Sequence, residues 1–177
     1  SWKIAPALAF GNAVIWKPAN LTPASAVLLT EIIAKQDIPA GLFNLVMGSG
    51  ASVGEKLITS KEIDAITFTG SLAVGKRVAV AAATNLTKFQ LEMGSKNALI
   101  VLDDADLDNA ADCAVNGAFG GSAQKRTASS RLIVTAGVHD EFVTKVQERM
   151  AKLKVGGALE EGVTIGPAVD AKQYAQN

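Results

Sequence analysis

Few residues in this chain have the type and spacing for chemistry. The single cysteine, Cys113, and the single histidine, His139, exclude an intrachain disulfide and a Cys/His metal cluster. The strongest signal is the run Asp64-Ala-Ile-Thr-Phe-Thr-Gly70-Ser71-Leu-Ala-Val-Gly75. Ile66 and Phe68 alternate with Thr67 and Thr69, the period of a strand. Gly70 permits a sharp turn, and Ser71 is a good cap for a following helix. In that helix Leu72, Val74, Val78 and Val80 are expected to form the buried side. A helix N-terminus at the carboxyl end of a strand favours an anion through its free N–H groups and its dipole. A strand-turn-helix without a ligand fits the same letters. A second glycine run, Gly48-Ser49-Gly50 with Gly54, shapes a turn into another helix. Glu92 sits between Leu91 and Met93-Gly94. A carboxylate held in a cleft can take a proton from water; a solvated strand-end glutamate is the plainer alternative.

The elements that must position these residues alternate. Ser1 to Gly11 reads as a short helix. Asn12 to Lys17 is a strand ended by Pro18, and Pro23 to Lys35 a helix with Thr22 as its cap. Leu42 to Met47 is a strand, followed by a helix from about Ser52 to Ile58. Asp64 to Thr69 and Lys88 to Glu92 are strands around a helix over Ser71 to Ala83. Asn97 to Leu102 and Arg131 to Thr135 are strands around a helix over Leu107 to Gly117. There Ala110, Ala114 and Ala118 allow close packing and Cys113 reads as a small buried hydrophobe. Val138 to Leu153 is amphipathic, with Phe142, Val146, Met150 and Leu153 on one face and an exposed His139 at its start. Gly156-Gly157 is expected to end the last helix. Strands and helices of these lengths imply parallel strands with crossover helices, the doubly wound α/β class.

The composition narrows the function classes. The chain has 177 residues, 49% hydrophobic and 19% charged, which suits a packed globular core. Its 17 basic and 17 acidic residues balance, against a nucleic-acid or anionic-membrane partner. No apolar run reaches the length of a membrane span. No secretory signal is visible, so a cytoplasmic location is the expectation. The first residues begin in mid-pattern without an initiator Met, as in the interior of a longer chain.

Several motifs follow one another: Trp16-Lys17-Pro18 with Thr22-Pro23, Phe68-Thr69-Gly70-Ser71 with Val74-Gly75, Leu91-Glu92-Met93-Gly94 with Lys96-Asn97, and Thr164-Ile165-Gly166-Pro167. Together they resemble the aldehyde dehydrogenase superfamily from Trp2 to at least Pro167. The resemblance implies oxidation of an aldehyde to a carboxylic acid with NAD or NADP. It implies a partial dinucleotide-binding domain over 1–93 and a partial catalytic domain over 94–177, with the boundary near Glu92 to Ser95. By resemblance Lys17 reaches the adenosine ribose. Gly50, Gly54, Gly70, Ser71 and Gly75 are cofactor contacts, and Glu92 is the general base for thioester hydrolysis. Many NAD-using members carry Glu where this chain has Asn20. A neutral amide there removes a charge that repels a 2′-phosphate, so NADP is expected to be tolerated or preferred; Asn20 also reads simply as a turn residue. A homo-oligomer is the family expectation, though the strands that build it lie largely elsewhere.

One position breaks the pattern. The family's nucleophile stands in a run of the form Gly-Gln-x-Cys-Thr-Ala with Ser-Arg after it. Here the run is Ala123-Gln124-Lys125-Arg126-Thr127-Ala128-Ser129-Ser130-Arg131, so Arg126 occupies the cysteine's place and Ala123 the glycine's. In the family a thiolate attacks the aldehyde carbon, and the thioester left after oxidation is hydrolysed. A guanidinium stays protonated and offers no lone pair for that attack. The chain as written is therefore expected to be inactive as an aldehyde dehydrogenase. The alternatives are a remnant that binds dinucleotide or associates with full-length relatives, and a chain that barely folds. The run from Phe119 to Arg131 is also similar to the branch acting on α-ketoglutaric semialdehyde.

Overall fold

The computed structural model describes residues 2–94 and 96–176. Ser95, the last residue of the expected boundary, and the terminal Ser1 and Asn177 lie outside the described residues. The chain divides into two compact units, Ser1–Met93 and Gly94–Asn177.

The first unit contains two successive strand-helix-strand crossovers. After helix α1 (Ile4–Ala9), strand β1 (Val14–Trp16) crosses through α2 (Ala24–Ala34) to β2 (Phe43–Leu45). β1 and β2 pair in parallel, with Ile15 opposite Asn44. The Trp16 and Phe43 rings lie 6.1 Å apart. A π-helical turn over Gly50–Gly54 leads into α3 (Glu55–Thr59). β3 (Ala65–Gly70) then crosses through α4 (Leu72–Asn85) to β4 (Lys88–Met93), again in parallel. The alternation in β3 is as the sequence implies: Ile66, Phe68 and Gly70 turn inward, while Ala65, Thr67 and Thr69 face out. The strands form parallel pairs rather than one continuous wound sheet. β1 and β2 have only three residues each, and Pro18, which has no N–H to donate, follows directly after Lys17.

Three expectations for this unit are corrected. Thr22 does not cap α2: the N-cap is Pro23, and no side chain bonds the free N–H groups there. The helix expected over Ser52 to Ile58 begins as the π-helical turn, because the Gly54 N–H donates five residues back to the Ser49 carbonyl at 3.2 Å; Ser49 also caps it, accepting from the Ser52 N–H at 3.0 Å. In α4 the buried side is Gly75, Val78 and Ala82. Leu72, Val74 and Val80 are exposed in this chain, because they stand on other sides of a 3.6-residue turn.

The second unit holds a third crossover. β5 (Asn97–Val101) passes through α5 (Leu107–Phe119) to a parallel β6 (Ser129–Val134). α6 (His139–Met150) and α7 (Ala171–Gln176) follow. Asp106 caps α5, accepting from the N–H groups of Asp108 and Asn109 at 3.1 Å each. The core is Val101, Ala111, Ala114, Val115, Phe142 and Val146, with Leu99, Leu107, Val134 and Leu153 packed around it. Ala111 and Ala114, not Ala110 and Ala118, are the fully buried alanines. Cys113 is exposed, which overturns its reading as a buried hydrophobe. It comes two positions after the buried Ala111, and the turn of the helix carries it off the packed face. Met150 is 40% exposed, so only Phe142 and Val146 anchor α6. Gly156-Gly157 does not end the last helix, since α7 comes after it. His139 is exposed as expected and lies 2.8 Å from Asp140 Oδ1.

A polar seam joins α5 to α6. Lys145 Nζ donates to Asp108 at 3.0 Å. Arg149 donates to Asp108 at 2.9 Å and to Asp112. Hydrogen bonds from Lys145 and then Arg149 hold the Asp108 carboxyl below the ordinary carboxylate range. A carboxyl whose folded pKa lies below its unfolded one stabilises the fold above the unfolded value, and that contribution is lost as pH falls through the folded one. The turn after α5 has an unusual backbone: Gly121, Ser122 and Ala123 all take positive φ, at 65°, 58° and 57°. An L-residue pays for that conformation through its Cβ.

The seam and the turn can each be tested by unfolding. Acidification from about pH 5 to pH 2 lowers the urea midpoint of the native chain more than that of Asp108→Asn, measured by far-ultraviolet circular dichroism. Ala123→Gly raises stability by about 1 kcal/mol, relief of Cβ strain exceeding the entropy glycine costs, read from the same unfolding curves.

Candidate functional site

The candidate cofactor residues fall into two clusters within the first unit. Lys17 follows β1 directly, and its Nζ donates to the Pro18 carbonyl at 2.8 Å. A Cβ built on Gly54 would lie 3.7 Å from Lys17 Cε. The lysine stem therefore packs beside the Gly50–Gly54 turn, and the loop after β1 meets the turn after β2. Gly50 is exposed, with no other group within 4 Å of where its Cβ would be. Asn20 is exposed in the turn beyond the buried Pro18. A lysine ammonium beside an open glycine turn suits hydroxyl and phosphate oxygens of a dinucleotide, so these residues fit the group that the motifs imply.

The second cluster lies at the carboxyl ends of β3 and β4. Ser71 caps α4, its Oγ accepting from the Val74 N–H at 3.3 Å. Thr69 stands opposite Glu92 in the ladder, and Gly70 opposite Met93. A Cβ on Gly70 would run into the Phe68 ring, and one on Gly75 into the Met93 side chain. Gly75 is buried at that contact, so its lack of a side chain lets α4 approach β4. Met93 ties this packing to the neighbouring Glu92, which is half-buried. The parallel register thus brings Gly70, Ser71, Gly75 and Glu92 to one end of one strand pair.

Arg126 belongs to the second unit, in the turn between α5 and β6, and is exposed. Its main chain is held in place. Asn97 Nδ2 donates to the carbonyls of Arg126 at 2.9 Å and Ala128 at 3.2 Å. Gln124 Oε1 accepts from the Val169 N–H at 2.8 Å, and its Nε2 donates to the Pro167 carbonyl at 3.3 Å. Ser122 Oγ donates to the Gly166 carbonyl at 2.6 Å. The motifs around Gln124 and Gly166-Pro167 are distant in sequence but interlocked in space. The sequence places Gln124, Asn97 and Ser122 inside family-like runs but gives none of them a role in holding the turn. The sole available signal was that these side chains fall inside the motifs.

Among the described residues no group of three or more His, Cys, Asp or Glu could hold a metal ion. None of their helices is long and apolar enough to cross a membrane.

Comparison with known proteins agrees over nearly all of the chain. The family model described as the aldehyde dehydrogenase family matches residues 1–177. A 2,5-dioxopentanoate dehydrogenase of Saccharolobus solfataricus is 44% identical over 178 aligned positions, covering 99% of this chain and 37% of that protein. A betaine aldehyde dehydrogenase of Bacillus subtilis is 40% identical, covering 99% and 36%. An α-ketoglutaric semialdehyde dehydrogenase of the same organism is 43% identical, covering 97% and 35%. Among solved structures, an NADP-dependent enzyme of E. coli superposes with a TM-score of 0.93 at 41% identity, covering 96% of this chain and 35% of that one. A betaine aldehyde dehydrogenase of Staphylococcus aureus in complex with NAD+ gives 0.91 at 37% identity, covering 97% and 34%. The chain spans about a third of the length of these relatives. On the match to the whole sequence and the shared fold, this chain belongs to the aldehyde dehydrogenase family.

Proposed function

We propose that this chain is the part of an aldehyde-oxidising, NAD(P)-dependent enzyme that carries cofactor contacts, the general base and the nucleophile position. The observation that carries the reading is the meeting of Lys17 with the Gly50–Gly54 turn, together with a separate strand end bearing Gly70, Ser71 and Glu92. Lys17 binds the adenosine ribose, and Asn20 leaves room for a 2′-phosphate. The Gly50–Gly54 turn would hold the adenine part of the cofactor. A bound nicotinamide dinucleotide accepts the two electrons of aldehyde oxidation. Glu92 stands where it would take a proton from the water that hydrolyses a thioester, were a thiol present at position 126. Residues 1–93 act as the cofactor-binding part and 94–177 as the start of the catalytic part.

Arg126 stands at the nucleophile position, so the chain forms no thioester there and does not turn over. The similarity of residues 119–131 to the semialdehyde branch, with the 2,5-dioxopentanoate and α-ketoglutaric semialdehyde dehydrogenases among the relatives, favours an oxo-acid aldehyde as the substrate class. A second reading has the chain bind dinucleotide without turnover or associate with full-length relatives. It draws support from Arg126 and from large apolar side chains left exposed, such as Trp2 at 89% and Phe10 at 87%.

The cofactor assignment is tested by Trp2 and Trp16 fluorescence. NADP+ is expected to bind at least as well as NAD+. Asn20→Glu should weaken NADP+ by about tenfold, the order of one added like-charge repulsion near a surface, and spare NAD+. Equal loss for both cofactors would refute the role of Asn20. The catalytic assignment is tested in Arg126→Cys treated with an activated ester. The acetyl thioester formed on the introduced thiol should hydrolyse about 100-fold more slowly when Glu92→Gln is added, the usual reach of a general base, as followed by peptide mass. Equal rates would remove Glu92 from the chemistry, and aldehyde-dependent formation of reduced cofactor by the native chain would overturn the inactivity of Arg126.

A further inference from the structure

The turn that carries position 126 is held by side chains from outside it. On one side the Asn97 amide spans two carbonyls, those of Arg126 and Ala128. On the other, Gln124 and Ser122 bind the backbone of residues 166–169 through three hydrogen bonds of 2.6 to 3.3 Å. The start of β6 is irregular at the same place. Asn97 pairs with Ser129, but Ala98 pairs with Arg131. Ser130 is therefore the extra residue of a bulge, and its Oγ donates to the Asn97 carbonyl at 3.5 Å. A bulge re-aims the strand it interrupts, and this one lies at the start of β6, directly after residues 124–128. The Arg126 side chain is exposed, and the bond from Asn97 runs to the Arg126 carbonyl, not to its guanidinium. Asn97 and Gln124 thus act on the main chain around 126, which any residue at that position would share.

We propose that Asn97 and Gln124 are positioning residues for position 126, with Asn97 holding the 126 carbonyl itself. This rests on the reading of 126 as the nucleophile position for its functional meaning, but its test does not. A buried or bonded backbone carbonyl must be freed before a protease can take it. Trypsin cuts after arginine and lysine, so the bond after Arg126 reports directly on the carbonyl that Asn97 holds. The bond after the exposed Lys152, in a turn of the same unit, serves as the internal control.

In limited trypsin digestion of the native chain, read by peptide mass, Asn97→Ala should speed cleavage after Arg126 by about tenfold, the order expected for losing hydrogen bonds of ordinary net strength. Cleavage after Lys152 should stay within about twofold of the native rate, the range of context-dependent scatter. Asn97→Asp keeps the shape and loses the donor, so it should match Asn97→Ala. If either Asn97 variant fails to fold by circular dichroism, Gln124→Met, which frees the other side of the turn, is read in the same way. An unchanged rate after Arg126 would overturn the proposal. So would an equal rise at both bonds, which is general loosening, or a rise in Asn97→Ala that Asn97→Asp lacks, which is space filling. An intact clamp with no effect of Glu92→Gln on the acetyl thioester of Arg126→Cys would instead overturn the catalytic reading alone.

Discussion

Two parallel strands cannot be joined by a tight turn; the chain must cross back through an intervening segment, most often a helix. That requirement lays out most of this molecule. β1 to β2, β3 to β4 and β5 to β6 are three such crossings in succession. Each leaves a loop at the carboxyl end of a strand, the place where open α/β sheets generally bind ligands. Lys17, Asn20, the Gly50–Gly54 turn and Ser71 follow strand ends of this kind, and Gly70 is the last residue of β3. The repeated crossing gathers candidate ligand contacts that are tens of residues apart in sequence.

The packing that supports the crossings depends on small residues at a few contacts. Gly75 is buried against Met93, and a side chain there would push α4 away from β4. Glu92 adjoins Met93, so helix packing and the place of the carboxylate are linked. In the second unit Ala111 and Ala114 are fully buried beside Phe142, which lets α5 and α6 approach closely. The seam from Asp108 and Asp112 to Lys145 and Arg149 closes the outer side of that helix pair. Exposed ion pairs of this kind contribute little each, so the burial of Phe142 and its neighbours is the larger part of what holds the two helices together.

The turn at residues 121–128 separates scaffold from chemistry. It is held by hydrogen bonds to residues outside it and borders a bulge, while the Arg126 side chain within it is exposed. A guanidinium cannot supply the lone pair that carbonyl attack requires. The proposed clamp acts through Asn97 and Gln124 on the main chain, so it does not depend on which side chain stands at position 126. Ala123 behaves similarly on a smaller scale. Its positive φ is the conformation that suits the glycine of the family run, and the turn keeps that conformation with a Cβ in place.

The sequence alone determined the alternation of strands and helices, the parallel class and the family. Those follow from local period, from turn residues and from motif order, all written in neighbouring letters. Ser71 as a cap and the inward face of β3 were legible for the same reason. The tertiary structure decided what depends on partners distant in sequence. It put Cys113 in solvent and buried Ala111 and Ala114, because helix phase relative to α6 selects the packed face. It replaced the expected Thr22 cap by Pro23, and it began the second glycine turn as a π-helical one capped by Ser49. It left Leu72, Val74 and Val80 exposed, because apolar letters do not say which side a neighbouring strand will cover. It also joined Asn97 to residue 126 and Gln124 to residues 167–169. Those hydrogen bonds span 29 to 45 residues, and no local pattern in the chain encodes contacts at that range.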